Sequence, residues 1–386
     1  MNRVLAASGL WFLAALLWPV LGQAEQTSDN KIYRVKVQLG ANSPDKNAAP
    51  IIEQEEISTR STLTAFTAAM KACENERMRA ELRRNCEPVW VDGEDIATAS
   101  KLRRRAREET SSPKLSLFHH VSDKGSVYLY GSVHLMKKNA YPLNPKILAA
   151  FAASDNLVLE VDINAIPAET LQREFRQRGM YADSSTLAQT LSADTLASAR
   201  SVLQSRGLTL DNYQSLKPWL FEQTLINQEM LLYGFDPESG IDSYFDQKAR
   251  AQGKTILQLE TLEQQLTLLS ETALPIQEAS LRYTLEALKE RVVQQQLNDL
   301  VVDWMQGDVD ELYDYMMEPL QDYPELAPFL AALFDERNEA MSQKIERWMD
   351  EGGDYFVVVG AGHLGGANGV VNLLRSRGYT LQQLTP

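Results

Sequence analysis

Four short apolar runs, each ending in a histidine or a carboxylate, constrain this chain of 386 residues more than any other feature. Val127–Tyr130 runs into Gly131-Ser-Val-His134, and Leu157-Val-Leu159 into Glu160. Thr255-Ile-Leu-Gln-Leu259 runs into Glu260, and Phe356-Val-Val-Val359 into Gly360-Ala-Gly-His363. A short apolar segment bounded by turn residues is what a strand buried on both faces requires. Strands of that kind belong to a sheet covered by helices, and helical periodicity fills the chain between them. The expected fold class is therefore α/β (α+β): a mixed central β-sheet core with paired Gly-x-x-His strand ends and a large helical insertion.

The chain holds only 4 histidines, and two of them close the same Gly-x-x-His pattern. Glycine has no Cβ, so a strand can turn sharply there and the backbone can approach a ligand closely. Ligands of open α/β sheets bind outside the carboxyl ends of the strands, where His134, Glu160, Glu260 and His363 would all lie. Each residue also has a structural alternative. Glu160 could pair with a core arginine, since a buried glutamate is rare unless paired or metal-bound. Glu260 could be the first-turn acid of a helix over 261–269. Asp162 reads as a helix cap, His119 and His120 as exposed, and Arg337 on its helix face as solvated.

Two histidines with one or two carboxylates suit a divalent transition metal, which would polarise a carbonyl and generate hydroxide at neutral pH. The alternative without metal uses histidine as a general base with glutamate as its partner. No HExxH pair sits on a helix, no Gly-x-Ser-x-Gly elbow supports a serine hydrolase, and the Gly-rich tail lacks the lysine of a P-loop.

Residues 1–24 have the form of a secretory signal peptide: a basic start at Arg3, an apolar run from Val4 to Leu21, and small residues before position 25. Residues 25–112 read as a small accessory region of strand, helix, strand order, with strands at 31–38 and 88–91, a helix over 61–84 and a polar loop after the first strand. In an exported protein, its two cysteines, Cys73 and Cys86, point to one disulfide. The net charge of −14 argues against nucleic acid as a partner, and the basic run from Lys101 to Arg107 reads as a solvated linker helix. No later stretch is long and apolar enough to span a membrane, so the mature chain is expected to have no transmembrane span.

From residue 113 to 386 the chain resembles the TraB/GumN (TraB/PrgY/GumN) family, related to the Tiki metalloproteases. The matching pieces are Tyr130-Gly-Ser-Val-His-Leu135, Leu157-Val-Leu-Glu160, Leu216-Lys-Pro-Trp219, Gly240-Ile-Asp242, Leu259-Glu-Thr261, Glu336-Arg-Asn338 and Val359-Gly-Ala-Gly-His-Leu364. The resemblance implies an EreA/ChaN/Tiki-like scaffold whose active centre is the paired Gly-x-x-His motifs with an acidic residue. By position it implies His134, Glu160 and His363 as catalytic or metal-holding groups, with manganese, cobalt or zinc as the metal. Glu260 is a further site residue, and Arg337 is placed to stabilise an oxyanion. The expected protein is an exported, periplasmic or secreted metal-dependent hydrolase acting on a peptide or protein. The alternative is a non-catalytic binding or regulatory protein that sequesters a peptide, metal or haem.

Overall fold

The computed structural model describes residues 33–39, 52–58, 73, 87–91, 94–95, 114–137, 140–290 and 293–386. The expected signal peptide, most of the helix over 61–84, Cys86 and the basic run of 101–107 lie outside these residues. In the N-terminal region, strands β1 (Tyr33–Leu39), β2 (Ile52–Ser58), β3 (Glu87–Val91) and β4 (Glu94–Asp95) form an antiparallel sheet of order β2-β1-β3-β4. The segment expected to be a polar loop after β1 thus contains β2. Ile-Glu-Gln-Glu-Glu-Ile-Ser carries too little apolar alternation to be read as a strand, and an edge position asks for little. Cys73 is disulfide-bonded, and Cys86 is the other of the chain's 2 cysteines.

The larger sheet contains β5 (Leu117–Ser122), β6 (Gly125–Ser132), β7 (Asn156–Leu159), β8 (Thr255–Gln258), β9 (Gly353–Gly360) and β10 (Gln382–Gln383), in the order β10-β5-β6-β9-β7-β8. β5 and β6 form the expected antiparallel hairpin. β6, β9, β7 and β8 are mutually parallel neighbours. These are the four runs from which the sequence argument started, and the fold sets them side by side with their carboxyl ends at one edge. Phe356, Val357, Val358 and Val359 in the central strand β9 are all fully buried. Each such side chain contributes roughly 1.5–3 kcal/mol relative to exposure.

Between β6 and β9 the chain is mainly helical. Helix α1 (Pro145–Ala153) leads into β7, and α2 (Ala168–Gly179), α3 (Ala193–Ser205), α4 (Pro218–Leu232) and α5 (Ile241–Gln252) follow it. After β8 come α6 (Leu262–Ser270), α7 (Leu274–Glu290), α8 (Val293–Gln306), α9 (Val309–Met317) and α10 (Arg337–Glu351), and α11 (Val370–Ser376) follows β9. The amphipathic stretch expected from Ile276 to Trp304 is two helices, α7 and α8. Pro218 sits in the first turn of α4, where its missing N–H costs nothing. α5 ends at Gly253 in the left-handed region (φ 67), a conformation glycine adopts without strain. No helix among the described residues is long and apolar enough to cross a membrane.

Candidate functional site

The two Gly-x-x-His motifs meet because β6 and β9 are adjacent and parallel. Gly131 stands opposite Val359, and Ser132 opposite Gly360. Neither motif glycine has positive φ; Gly360 sits at φ −50. What Gly131 provides is close approach, since a Cβ there would lie 3.0 Å from the Cβ of Ala361 and 3.2 Å from Leu364 in the other motif. The β7–β8 ladder continues past the strands, with Leu259 N–H donating to Leu159 O and Glu260 N–H to Glu160 O. That pairing brings the two glutamates out together.

Arg337 lies at the centre of this strand edge. A single π turn, Ala332–Glu336, precedes it and delivers it to the first position of α10. Such turns recur at functional sites because they shift a helix face by a fraction of a turn. Its Nε donates to Glu260 Oε1 at 2.8 Å, and Nη2 donates to Glu260 Oε2 at 2.6 Å and Glu160 Oε2 at 2.8 Å. Nη1 donates to Leu333 O and His363 Nε2, each at 3.2 Å. All five N–H bonds of the guanidinium are thereby committed to protein acceptors. Gln265, on α6, donates to Glu160 at 3.3 Å and to Glu260 at 3.2 Å. Burial opposes the charge on Arg337, but the hydrogen bonds and charges of Glu260 and Glu160 outweigh it and raise its pKa.

His363 is completely buried. Its Nδ1 lies 2.6 Å from Asn338 Oδ1, and Asn338 Nδ2 donates to Asn368 O at 2.9 Å. Because the Asn338 amide is oriented by that second bond, its oxygen faces the ring and Nδ1 carries the proton. Nε2 then offers its lone pair to Arg337. Burial, with the charges of Arg337 and His134, holds the His363 pKa well below the ordinary value, consistent with a neutral ring.

The first motif is arranged differently. Ile241 N–H donates to Val133 O at 3.1 Å, docking the start of α5 on the His134 loop. Gly240 makes that approach possible, since a Cβ there would fall 2.0 Å from His134 O. Asp242, one residue into α5, accepts from Ser132 Oγ at 3.1 Å through Oδ1 and meets His134 Nδ1 at 2.8 Å through Oδ2. Burial disfavours the His134 cation, but Asp242, by charge and hydrogen bond, and Glu160 reverse this, and the pKa is raised. Glu160 Oε1 accepts from Gly360 N–H at 2.6 Å. Burial lifts the Glu160 carboxyl, Arg337 and His134 oppose the rise, Glu260 adds to it, and the pKa comes to about 7.

His134, Glu160, Asp242, Asp246 and Gln265 line one pocket of about 70 Å³. Of the expected site residues, His134 and Glu160 face this pocket, whereas Glu260, Arg337 and His363 form the buried network behind it. The alternative reading of Glu160 as the partner of a core arginine is realised, and that arginine is Arg337, at 8% exposure rather than on a solvated face. Asp162 caps the turn Ile163–Ala165, as its structural reading expected. His119 and His120 are both half-buried rather than exposed: His119 stacks on Tyr128 with ring centroids 4.1 Å apart, and His120 Nδ1 donates to Thr380 O at 2.9 Å. Asp242, Gln265 and the ring-orienting role of Asn338 were missed. The Gly-Ile-Asp and Glu-Arg-Asn motifs were the signals for Asp242 and Asn338, and Gln265 had none; nothing local in the sequence pairs Asp242 with His134.

The chemistry of the donor set decides how a metal ion would sit. The positive charge between Glu160, Glu260 and His363 is supplied by Arg337, and both nitrogens of His363 are engaged. As arranged, His134, Glu160 and His363 do not fit a shared divalent cation. Among the described residues, no group of three or more His, Cys, Asp or Glu side chains is disposed to hold one.

A profile of the TraB/PrgY/gumN family matches residues 117–383, the span that contains every residue of this site. Two bacterial relatives, "Uncharacterized protein YbaP" of Escherichia coli (strain K12) and of Shigella flexneri, are each 24% identical over 254 residues, covering 64% of this chain and 87% of theirs. No solved structure matches the chain. The family match spans the whole larger sheet and both Gly-x-x-His strand ends, and the chain belongs to the TraB/PrgY/gumN family.

Proposed function

We propose that this chain is a hydrolase whose proton-transfer groups are Glu160 and the His134–Asp242 pair, and that its substrate is a peptide or protein. The observation that carries the reading is the pocket His134 and Glu160 share, with the Glu160 carboxyl poised at about 7. A buried acid shifted toward neutrality beside a carboxylate-oriented histidine is the arrangement that general acid–base catalysis needs. The peptide class and export from the cell rest on the family resemblance and on the form of residues 1–24.

In this reading Asp242 fixes the His134 ring through Nδ1, so proton transfer runs through Nε2. The ring takes a proton from a water as its oxygen attacks the amide carbonyl. Protonated Glu160 gives its proton to the departing amine nitrogen as the C–N bond breaks. The His134 proton then returns to Glu160 through the pocket, and the products are a carboxylic acid and an amine. Arg337, with Gln265 and Gly360 N–H, holds Glu160 in place, and His363 holds Arg337.

The test is hydrolysis of a peptide library by the mature protein with and without a chelator, beside His134→Ala and Asp242→Asn. The reading expects turnover that survives chelation and falls by about 10²–10⁴ in His134→Ala. Turnover abolished by chelation and restored by manganese, cobalt or zinc would instead support a metal held by His134, Glu160 and His363, with Arg337 displaced. Stoichiometric peptide or haem binding without turnover would support the sequestering alternative.

A further inference from the structure

A second groove, of about 790 Å³, runs beside β8. Three consecutive residues of that strand, Ile256, Leu257 and Gln258, line it. Successive side chains of a strand point to opposite faces of the sheet. Three in a row can border one cavity only if it lies along the strand's open edge. The flanking walls agree, since α2 contributes Glu174 and α10 contributes Trp348. β8 ends the sheet, and no strand among the described residues pairs with its outer edge. Thr255-Ile-Leu-Gln258 carries no lysine, proline or inward charge, the devices that normally blunt an exposed edge.

We propose that this edge docks an extended polypeptide segment as an added strand, and that the segment carries basic side chains. Strand addition supplies affinity through backbone hydrogen bonds, and flanking pockets select the side chains. Ile166, Leu262 and Trp348 provide apolar contact. Asp162, Glu174 and Glu263 face the groove against one lining cation, Arg178. Arg178 lies 3.5 Å from both Glu174 and Glu263, and Arg173, outside the lining, lies 3.3 Å from Glu174; the lining itself sets three carboxylates against one cation. Asp162 is paired with Arg250 behind it.

The groove adjoins the candidate site. Asp162, Ala165 and Ile166 face it, while Val161, Ile163 and Asn164 face the pocket of His134 and Glu160. One short segment is thus the wall between the two cavities. A chain paired with β8 runs within a few residues of Glu260 and Glu160. The choice of a polypeptide occupant rests on the peptide-hydrolase reading, but docking itself requires no turnover.

The experiment is hydrogen exchange and tryptophan fluorescence on the full chain with three blocked octapeptides. One alternates valine with lysine, one alternates valine with glutamate, and one is the valine–lysine peptide N-methylated at alternate amides. The proposal expects the valine–lysine peptide to slow exchange at 255–258 and to change a fluorescence signal that is lost in Trp348→Phe. It should bind about tenfold tighter than either comparator. The double variant Glu174→Gln/Glu263→Gln should lose that preference, whereas His134→Ala should bind as the wild type does. Equal binding of all three peptides, protection away from β8, or β8 protection that depends only on protein concentration, as for a second copy, would overturn the proposal. Because His134→Ala reports docking without chemistry, failed turnover with retained β8 protection counts against the hydrolase reading alone.

Discussion

His363 Nε2 lies 3.2 Å from Arg337 Nη1, so an imidazole lone pair faces a guanidinium across a buried contact. With Nδ1 held by Asn338, this ring is neutral and of one tautomer. The two Gly-x-x-His motifs therefore differ in role. His134 faces the pocket with a carboxylate behind it, and His363 holds the arginine that holds the carboxylates. Nitrogen NMR should show His363 protonated at Nδ1 and not titrating at neutral pH. Asn338→Leu should destabilise the fold by about 1–3 kcal/mol, because it strands a buried N–H.

Arg337 neutralises the buried Glu260 carboxylate and offsets the charge that Glu160 gains as it ionises near pH 7, and its removal leaves both groups without that cation. Arg337→Met should cost about 3–5 kcal/mol in denaturant unfolding. Adding Glu260→Gln to that variant should recover part of the loss. Arg337→Lys should not rescue it, because an ammonium cannot reproduce the bidentate fork to Glu260. Strictly additive losses in the double variant would contradict this account.

Gly240→Ala should uncouple the pair Asp242–His134. A methyl group 2.0 Å from His134 O forces α5 away from the His134 loop. Overpacking of this kind typically costs about 1–3 kcal/mol. The His134 pKa should fall back in the variant as Asp242 moves off, a change that NMR titration reads directly. An unmoved His134 pKa would show that the loop, not α5, positions the ring.

Glu222 gives the fold a pH dependence separate from the site. It is buried in α4, accepting from Ser280 Oγ at 2.9 Å and Thr284 Oγ1 at 2.7 Å. Burial raises its pKa to about 8, against which those two bonds act. The unfolded chain therefore releases this proton at lower pH than the folded one. Its stabilising contribution is full below an ordinary glutamate pKa and is lost as pH rises through about 8. Glu222→Gln cannot ionise and should exceed the wild type at pH ~9 by roughly 2–5 kcal/mol in denaturant unfolding. Glu160, raised to about 7, adds a slope of the same sign that the variant retains.

The strands were legible because burial on both faces leaves apolar runs that no solvent-facing segment resembles. Val127–Tyr130, Leu157–Leu159 and Phe356–Val359 all became strands in one sheet. Their neighbours were not legible, since sheet order depends on contacts hundreds of residues apart, such as Gly131 against Val359. Taken from its neighbours alone Arg337 reads as solvated, because Glu-Arg-Asn on a helix has the polarity of a surface, and only the family resemblance sets it at the site. The π turn before it, which aims it inward, leaves no periodic mark. Asp242 and His134 are 108 residues apart, so only the tertiary fold reveals their bond.

The most direct test of the central claim is the pH dependence of peptide hydrolysis by wild-type protein and Glu160→Gln, both freed of metal. The account predicts a bell-shaped kcat/KM near neutrality in the wild type. One limb comes from His134, whose pKa is raised, and the falling limb, near pH 7, from the loss of the Glu160 proton. It predicts a loss of about a hundredfold or more in Glu160→Gln, which keeps the side-chain shape but cannot donate the proton in turnover. Wild-type rates in Glu160→Gln, or a profile flat through pH 7, would contradict it.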